Sequence, residues 1–226
     1  MAASGSITVF AASSLKGSFA EIATAFEAAN PGTTVTYNFG PSSGLATQIT
    51  QGAPADVFAA ASTKTMDTVT TAGAASNPQV FATNTMEIAT PASGGASVMS
   101  LADLATAGVK VAVCQKDVPC GVAAQKLFDQ NKVTVTPSTE EVDVKAVLSK
   151  VELGEVDAGI VYVTDVKAAG DKVKGIEIPA DQNVTTKYPI APIGASKNAA
   201  TAQAFVDFVL SPAGQSILAG AGFAAP

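Results

Sequence analysis

Short apolar runs and stretches of helical periodicity take turns along most of this chain, and that alternation constrains its fold more than anything else in it. Residues 7–10 read as a buried strand; then Leu15, Phe19, Ile22, Ala23 and Phe26 recur at helical spacing until Asn30-Pro31-Gly32 stops the helix. The same order returns at 35–39 and 45–51, at 56–59 and 63–71, and at 109–113 and 121–130. A helix over 139–152, with Val144, Val147, Leu148 and Val151 as its apolar stripe, is followed by a strand at 158–163. A small helix near 101–104 and two closing helices at 199–210 and 213–219 complete the pattern. Parallel strands need crossovers that helices supply, so an α/β protein is predicted, its parallel sheets covered on both faces.

Two extended runs, near 83–90 and 184–191, bracket a middle block that has its own strands and helices. The expected architecture is a discontinuous first lobe, residues 6–84 and 190–226, around an inserted second lobe, residues 85–189. A cleft would lie between them at the strand carboxyl ends, and the two crossing segments would form a hinge.

Composition removes many functions. The chain has 226 residues, 47% of them hydrophobic, enough for sizeable cores. Its formal charge of −6 and lack of a basic run make nucleic acid and anionic membranes poor partners. The apolar stretches are too short to cross a bilayer. No histidine is present, which excludes Ser-His and Cys-His catalysis and most zinc sites. The opening Met1-Ala-Ala-Ser-Gly reads as a start codon joined to the beginning of a mature chain whose export signal has been removed. Cys114 and Cys120 are the only cysteines; they fit either one disulfide of an exported protein or two buried thiols.

Chemistry gathers where strands meet helices. Phe10-Ala-Ala-Ser13-Ser14-Leu15 and Phe39-Gly-Pro-Ser42-Ser43-Gly44 each run from a strand into a helix opened by a serine pair. Free backbone N–H groups and the positive end of the helix dipole, with hydroxyls beside them, suit a small anion. Serine is also a common cap, and neither pair alone requires a ligand. Their joint occurrence at two strand ends of one lobe favours a shared site. Val118-Pro119-Cys120-Gly121 opens a third helix, in the middle block. Tyr162 ends a strand and fits either a core position or a phenol aimed into the cleft. Asp56 is expected to brace backbone amides, because a carboxylate beside a dianion would repel it.

These residues resemble the molybdate-binding proteins that serve ATP-driven importers, within the type II periplasmic binding protein superfamily. The resemblance spans nearly the whole chain. It rests on Ile7-Thr-Val-Phe-Ala-Ala-Ser-Ser-Leu15, Gly52-Ala-Pro-Ala-Asp-Val-Phe58, Val118-Pro-Cys-Gly121, Gly159-Ile-Val-Tyr162, and Ser211-Pro-Ala-Gly-Gln215 with Gly222-Phe223. It implies a two-lobed periplasmic binding protein fold and an oxyanion held by the hydroxyls and N–H groups of Ser14 and Ser42. The N–H groups of Cys120 and Val144 and the phenol of Tyr162 would complete the set from the second lobe. Val144 comes from the resemblance alone. The family often has alanine where Cys120 stands, a departure that leaves the N–H intact and suggests a local Cys114–Cys120 disulfide.

The implied protein is an extracytoplasmic receptor, in the periplasm or at the cell surface, lipid-anchored or free. It would act as a monomer without a cofactor or catalytic residues, bind molybdenum or tungsten only as molybdate or tungstate, and meet the membrane permease of an ABC importer. A donor-only site fits these deprotonated dianions, whereas monoprotonated phosphate wants an acceptor. Two other readings stay open: a receptor for another tetrahedral oxyanion such as sulfate, and a two-lobed enzyme that uses Cys120 as nucleophile at a helix start.

Overall fold

The computed structural model describes residues 3–226, so Met1 and Ala2, which open the segment read above as the start of a mature chain, lie outside the described residues. The chain forms two compact units, one running to Thr83 and resuming over Lys187–Pro226, the other Asn84–Thr186.

In the first unit β1 (Gly5–Ala12) is the central strand. It pairs in parallel with β2 (Thr33–Gly40) on one side and β3 (Val57–Ala59) on the other. Alternate residues of β1 face two different cores, as a strand covered on both sides must. Ile7, Val9 and Ala11 pack with Phe19, Phe26, Phe205 and Val209, which are supplied by α1 (Lys16–Ala29) and α7 (Ala199–Leu210). Phe10 faces the other way, onto Leu45, Ile49, Met66 and Val69 of α2 (Ser42–Thr50) and α3 (Thr63–Thr71). Ring edges meet ring faces in the first core, Phe26 and Phe205 lying 5.3 Å apart and T-shaped.

The second unit is organised around β5 (Val111–Cys114), which pairs in parallel with β6 (Thr139–Glu141) and β7 (Ala158–Tyr162). Its core joins Met86, Ile88, Val111, Leu127, Val147, Val151 and Ile160. The covering helices are α4 (Pro119–Asn131), α5 (Val144–Glu152) and α6 (Val163–Ala169), and α8 (Pro212–Gly220) closes the chain back in the first unit. Gly159 lets α5 lie on β7: a Cβ there would stand 2.8 Å from both Val147 Cγ1 and Val151 Cγ2.

Two expectations need correction, and one stretch without an expected element acquires two. The sheets are mixed, not parallel throughout. β4 (Gln79–Pro91) runs antiparallel to β7 and to β8 (Val173–Glu177), and β9 (Thr185–Pro192) runs antiparallel to β3. Both β4 and β9 carry the chain from one unit to the other as extended segments, without the crossover helix that parallel pairing requires. The helix expected over 139–152 divides: residues 139–141 pair with β5, Cys114 opposite Glu141, and the helix begins only at Val144, where the Asp143 carboxylate accepts the Ala146 N–H at 2.9 Å. Finally, α6 and β8 follow Tyr162 in a stretch for which sequence periodicity predicts no element.

Candidate functional site

The two serine pairs leave neighbouring strand ends. Ala12 and Gly40, the last residues of β1 and β2, are direct partners in the ladder. Each strand turns into its helix within two residues. Ser13–Leu15 form a 3-10 turn ahead of α1, and Ser42 is the first residue of α2.

The capping role open to these serines is not the one they take. Ala12 and Pro41 occupy the two N-cap positions, and neither end has a side-chain cap. The hydroxyls therefore lie inside the first turn and find partners elsewhere. Ser42 Oγ accepts the Ala61 N–H at 3.0 Å, just beyond β3. Ser14 Oγ lies 3.0 Å from the hydroxyl of Tyr188 on β9. Both serines are buried. The first intrahelical bond of α2 runs from Leu45 N–H to Pro41 C=O at 3.0 Å, so the N–H groups of Ser42, Ser43 and Gly44 precede the helical ladder. Asp56 braces backbone as expected, its Oδ2 accepting the Thr8 N–H at 2.7 Å.

The second unit presents helix starts of the same kind. Val118 caps α4, Pro119 holds its first position, and Cys120 and Gly121 follow. The first bond of the ladder is Val122 N–H to Val118 C=O at 3.0 Å, which leaves the two preceding N–H groups at the positive end of the helix. A disulfide joins Cys120 to Cys114, the last residue of β5, with Cα atoms 5.7 Å apart. Gly121 permits this closeness, since a Cβ there would fall 1.8 Å from the Gln115 carbonyl oxygen. Val144 opens α5, whose ladder begins with Val147 N–H to Asp143 C=O at 3.3 Å. Tyr162 ends β7 and is buried. The parallel pairing of β5, β6 and β7 sets all three of these helix starts at one edge of the sheet, beyond the strand carboxyl ends.

The structure thus brings Ser14 and Ser42 together in the first unit, and Cys120, Val144 and Tyr162 to one sheet edge in the second. Both sets are made of hydroxyl and N–H groups. No group of three or more His, Cys, Asp or Glu that could hold a metal ion occurs among the described residues. Cys120 is bridged, so it carries no thiol for nucleophilic attack.

Three neighbours escape sequence reasoning. Tyr188 holds Ser14, and its ring packs on Phe223 at 5.2 Å. Asp165 is fully buried; its Oδ2 accepts the Tyr162 N–H at 3.1 Å and its Oδ1 lies 2.7 Å from Lys145 Nζ. Burial pushes the Asp165 carboxyl up from the usual carboxylate range, and the Lys145 ammonium pulls against that shift. The Tyr162-x-x-Asp165 spacing was the available signal, because a carboxylate three residues into a helix reaches back to the cap N–H. Lys145 and Tyr188 have no comparable local signature.

A cavity of about 370 Å³ in the second unit is lined by Thr85, Glu87, Val163, Glu177 and Asn183 among others. Glu87 and Glu177 face each other across β4 and β8. Two opposed carboxylates make it a poor place for an anion.

Residues 7–224 match the family described as bacterial extracellular solute-binding protein. The molybdate-binding protein ModA of Mycobacterium tuberculosis is 45% identical over 222 residues, covering 98% of this chain and 85% of that relative. ModA of Escherichia coli is 31% identical over 238 residues, covering 99% of this chain and 90% of its own length. Among solved structures, the periplasmic molybdate-binding protein of Azotobacter vinelandii matches with a TM-score of 0.84 at 21% identity, over 97% of this chain and 99% of that one. That likeness is one of fold. With both its strand-to-helix chemistry and its α/β frame accounted for, the chain belongs to the bacterial extracellular solute-binding proteins.

Proposed function

We propose that this chain captures molybdate, and tungstate with it, outside the cytoplasm and delivers the ion to the membrane permease of an ABC importer. The two units serve as lobes, and the hydroxyls and N–H groups of Ser14 and Ser42 meet the same dianion as the N–H groups of Cys120 and Val144 and the phenol of Tyr162. The protein works as a monomer, without cofactor or catalysis. Relatives named for molybdate binding, at 45% and 31% identity across almost the whole chain, support this reading.

The observation that carries it is that both serine hydroxyls are held by protein partners, an arrangement that leaves Ser42 able to donate, and Ser14 as well when Tyr188 is the donor of their contact. Ser42 Oγ accepts from Ala61 N–H, so its own proton remains to be given away. When the Tyr188 hydroxyl donates to Ser14 Oγ across their 3.0 Å contact, Ser14 is left in the same condition. Such donors match an ion that carries four acceptor oxygens and no proton. They also bring no counter-charge that would need burying beside the ligand.

Titration calorimetry with molybdate, tungstate, sulfate and phosphate tests the proposal. Tight binding of molybdate and tungstate with weak binding of the other two is expected. Sulfate shares the charge and tetrahedral shape of molybdate, so a sulfate receptor is the competing reading, and tight sulfate binding without molybdate binding would replace the proposal with it.

A further inference from the structure

Asp165 is a buried carboxyl paired with Lys145 that the donor set does not use. Its carboxylate is fully buried, takes the backbone N–H of Tyr162 at 3.1 Å, and pairs with Lys145 Nζ at 2.7 Å. Lys145 follows Val144 in the first turn of α5. One ion pair therefore connects the turn that carries the Tyr162 phenol to the helix start that carries the Val144 N–H. Such a pair is weak as a stabilising device, because taking a carboxylate out of water offsets most of the Coulombic gain, and apolar residues of similar volume often serve stability equally well. What an ion pair does better is fix a distance between two elements. It also does so at zero net charge, so that the carboxylate presents no uncompensated field to an arriving anion. The nearby Asp143 carboxylate is engaged by the Ala146 N–H of the same helix start.

We propose that the Lys145–Asp165 ion pair is a positioning device that holds the Tyr162 phenol and the Val144 N–H at the separation one tetrahedral dianion requires, and so sets how the protein discriminates between oxyanions of different size. This rests on the molybdate reading of the same donors. In this role neither side chain is itself a ligand; each acts through the group beside it.

The test compares three chains with the unaltered protein by calorimetry with molybdate and sulfate and by thermal melts without ligand. They are Lys145→Met, the double variant Lys145→Met with Asp165→Asn, whose side-chain oxygen can still accept the Tyr162 N–H, and Ser14→Ala. Lys145→Met leaves a buried carboxylate unpaired and is expected to lower stability, so the double variant, which removes both charges, carries the decision. It is expected to melt close to the unaltered protein, to bind molybdate about tenfold more weakly, the scale of losing an outer partner of a ligating group, and to discriminate less between molybdate and sulfate. A double variant with unaltered molybdate affinity and unaltered molybdate-to-sulfate ratio would overturn the positioning role. So would a loss of affinity for both ions in equal proportion, which is what general loosening produces. Ser14→Ala separates the two levels of the argument. If it weakens molybdate binding while the double variant does not, only the positioning role fails; if the unaltered protein binds no molybdate, the reading beneath it fails.

Discussion

Ser14 and Ser42 have protein partners of their own, so they are aimed by the fold and need not be recruited by a ligand. Ala61 N–H fixes the oxygen of Ser42 and Tyr188 fixes that of Ser14, each at 3.0 Å. Donors held in place lose little freedom on binding, which leaves more of their interaction energy as affinity. Ser14→Ala and Ser42→Ala are each expected to weaken molybdate binding by roughly 1–3 kcal/mol, the range for a hydrogen bond to a charged group. Unchanged calorimetric affinity in both would remove them from the site. Tyr188→Phe is the subtler change. Its ring would keep its packing on Phe81 and Phe223, while Ser14 loses its partner, and an affinity loss of about 1 kcal/mol is expected. If Tyr188→Phe binds molybdate as the unaltered protein does, the hydroxyl does not orient Ser14.

At the scale of elements, the start of α4 is the most constrained feature of the second unit. The disulfide ties its second residue to the end of β5, and Gly121 leaves no room for a side chain against Gln115. Gly121→Ala must push the helix start off the sheet edge, so it is expected to lower both melting temperature and molybdate affinity. Replacing Cys114 and Cys120 together by serine removes a loop closure of roughly seven residues, with a stability loss on the order of 2–3 kcal/mol measurable by urea unfolding. Much of this frame is legible in the chain itself. The periodicity of residues 63–71 and 199–210 marks α3 and α7 with the ends the structure gives them. The apolar run 158–163 marks β7 to within a residue. What local pattern does not encode is pairing. Residues 139–141 form a strand because β5 lies beside them, and no period within three residues announces that. In the site, the serine pairs stand out because hydroxyls at a strand-to-helix turn are a local pattern. Tyr188 and Lys145 do not, because each reaches its partner from a different element.

For the whole molecule, a ligand that binds only the folded chain raises its stability by mass action, about 2.7 kcal/mol at a hundred times its dissociation constant. A melting temperature that climbs with the logarithm of molybdate concentration is the expected signature, and one that ignores molybdate would contradict the proposed function. Acidity acts through a different place. Burial, and then the Glu177 carboxylate opposite, push the Glu87 carboxyl up from its ordinary value. A carboxyl raised in the folded state contributes stability that is fully present below its unfolded value of about 4.3 and lost as pH rises through the folded one. Unfolding free energy should therefore fall over that window, and fall less in Glu177→Gln; equal slopes in urea melts across pH would show that the pair does not interact. The helix starts at Cys120 and Val144 have a consequence for how such a protein is interrogated. Their contribution to the proposed site is written in the peptide backbone, so an alanine scan keeps both N–H groups and reads only the Cys120 disulfide and the buried Val144 side chain, as does any comparison of side chains among relatives. Proline is the substitution that reads them. Val144 opens α5, a position that accepts proline readily, and Asp143 before it is already extended, at φ −156° and ψ 173°. Val144→Pro deletes a single N–H from the anion's surroundings, making the backbone itself the subject of mutagenesis.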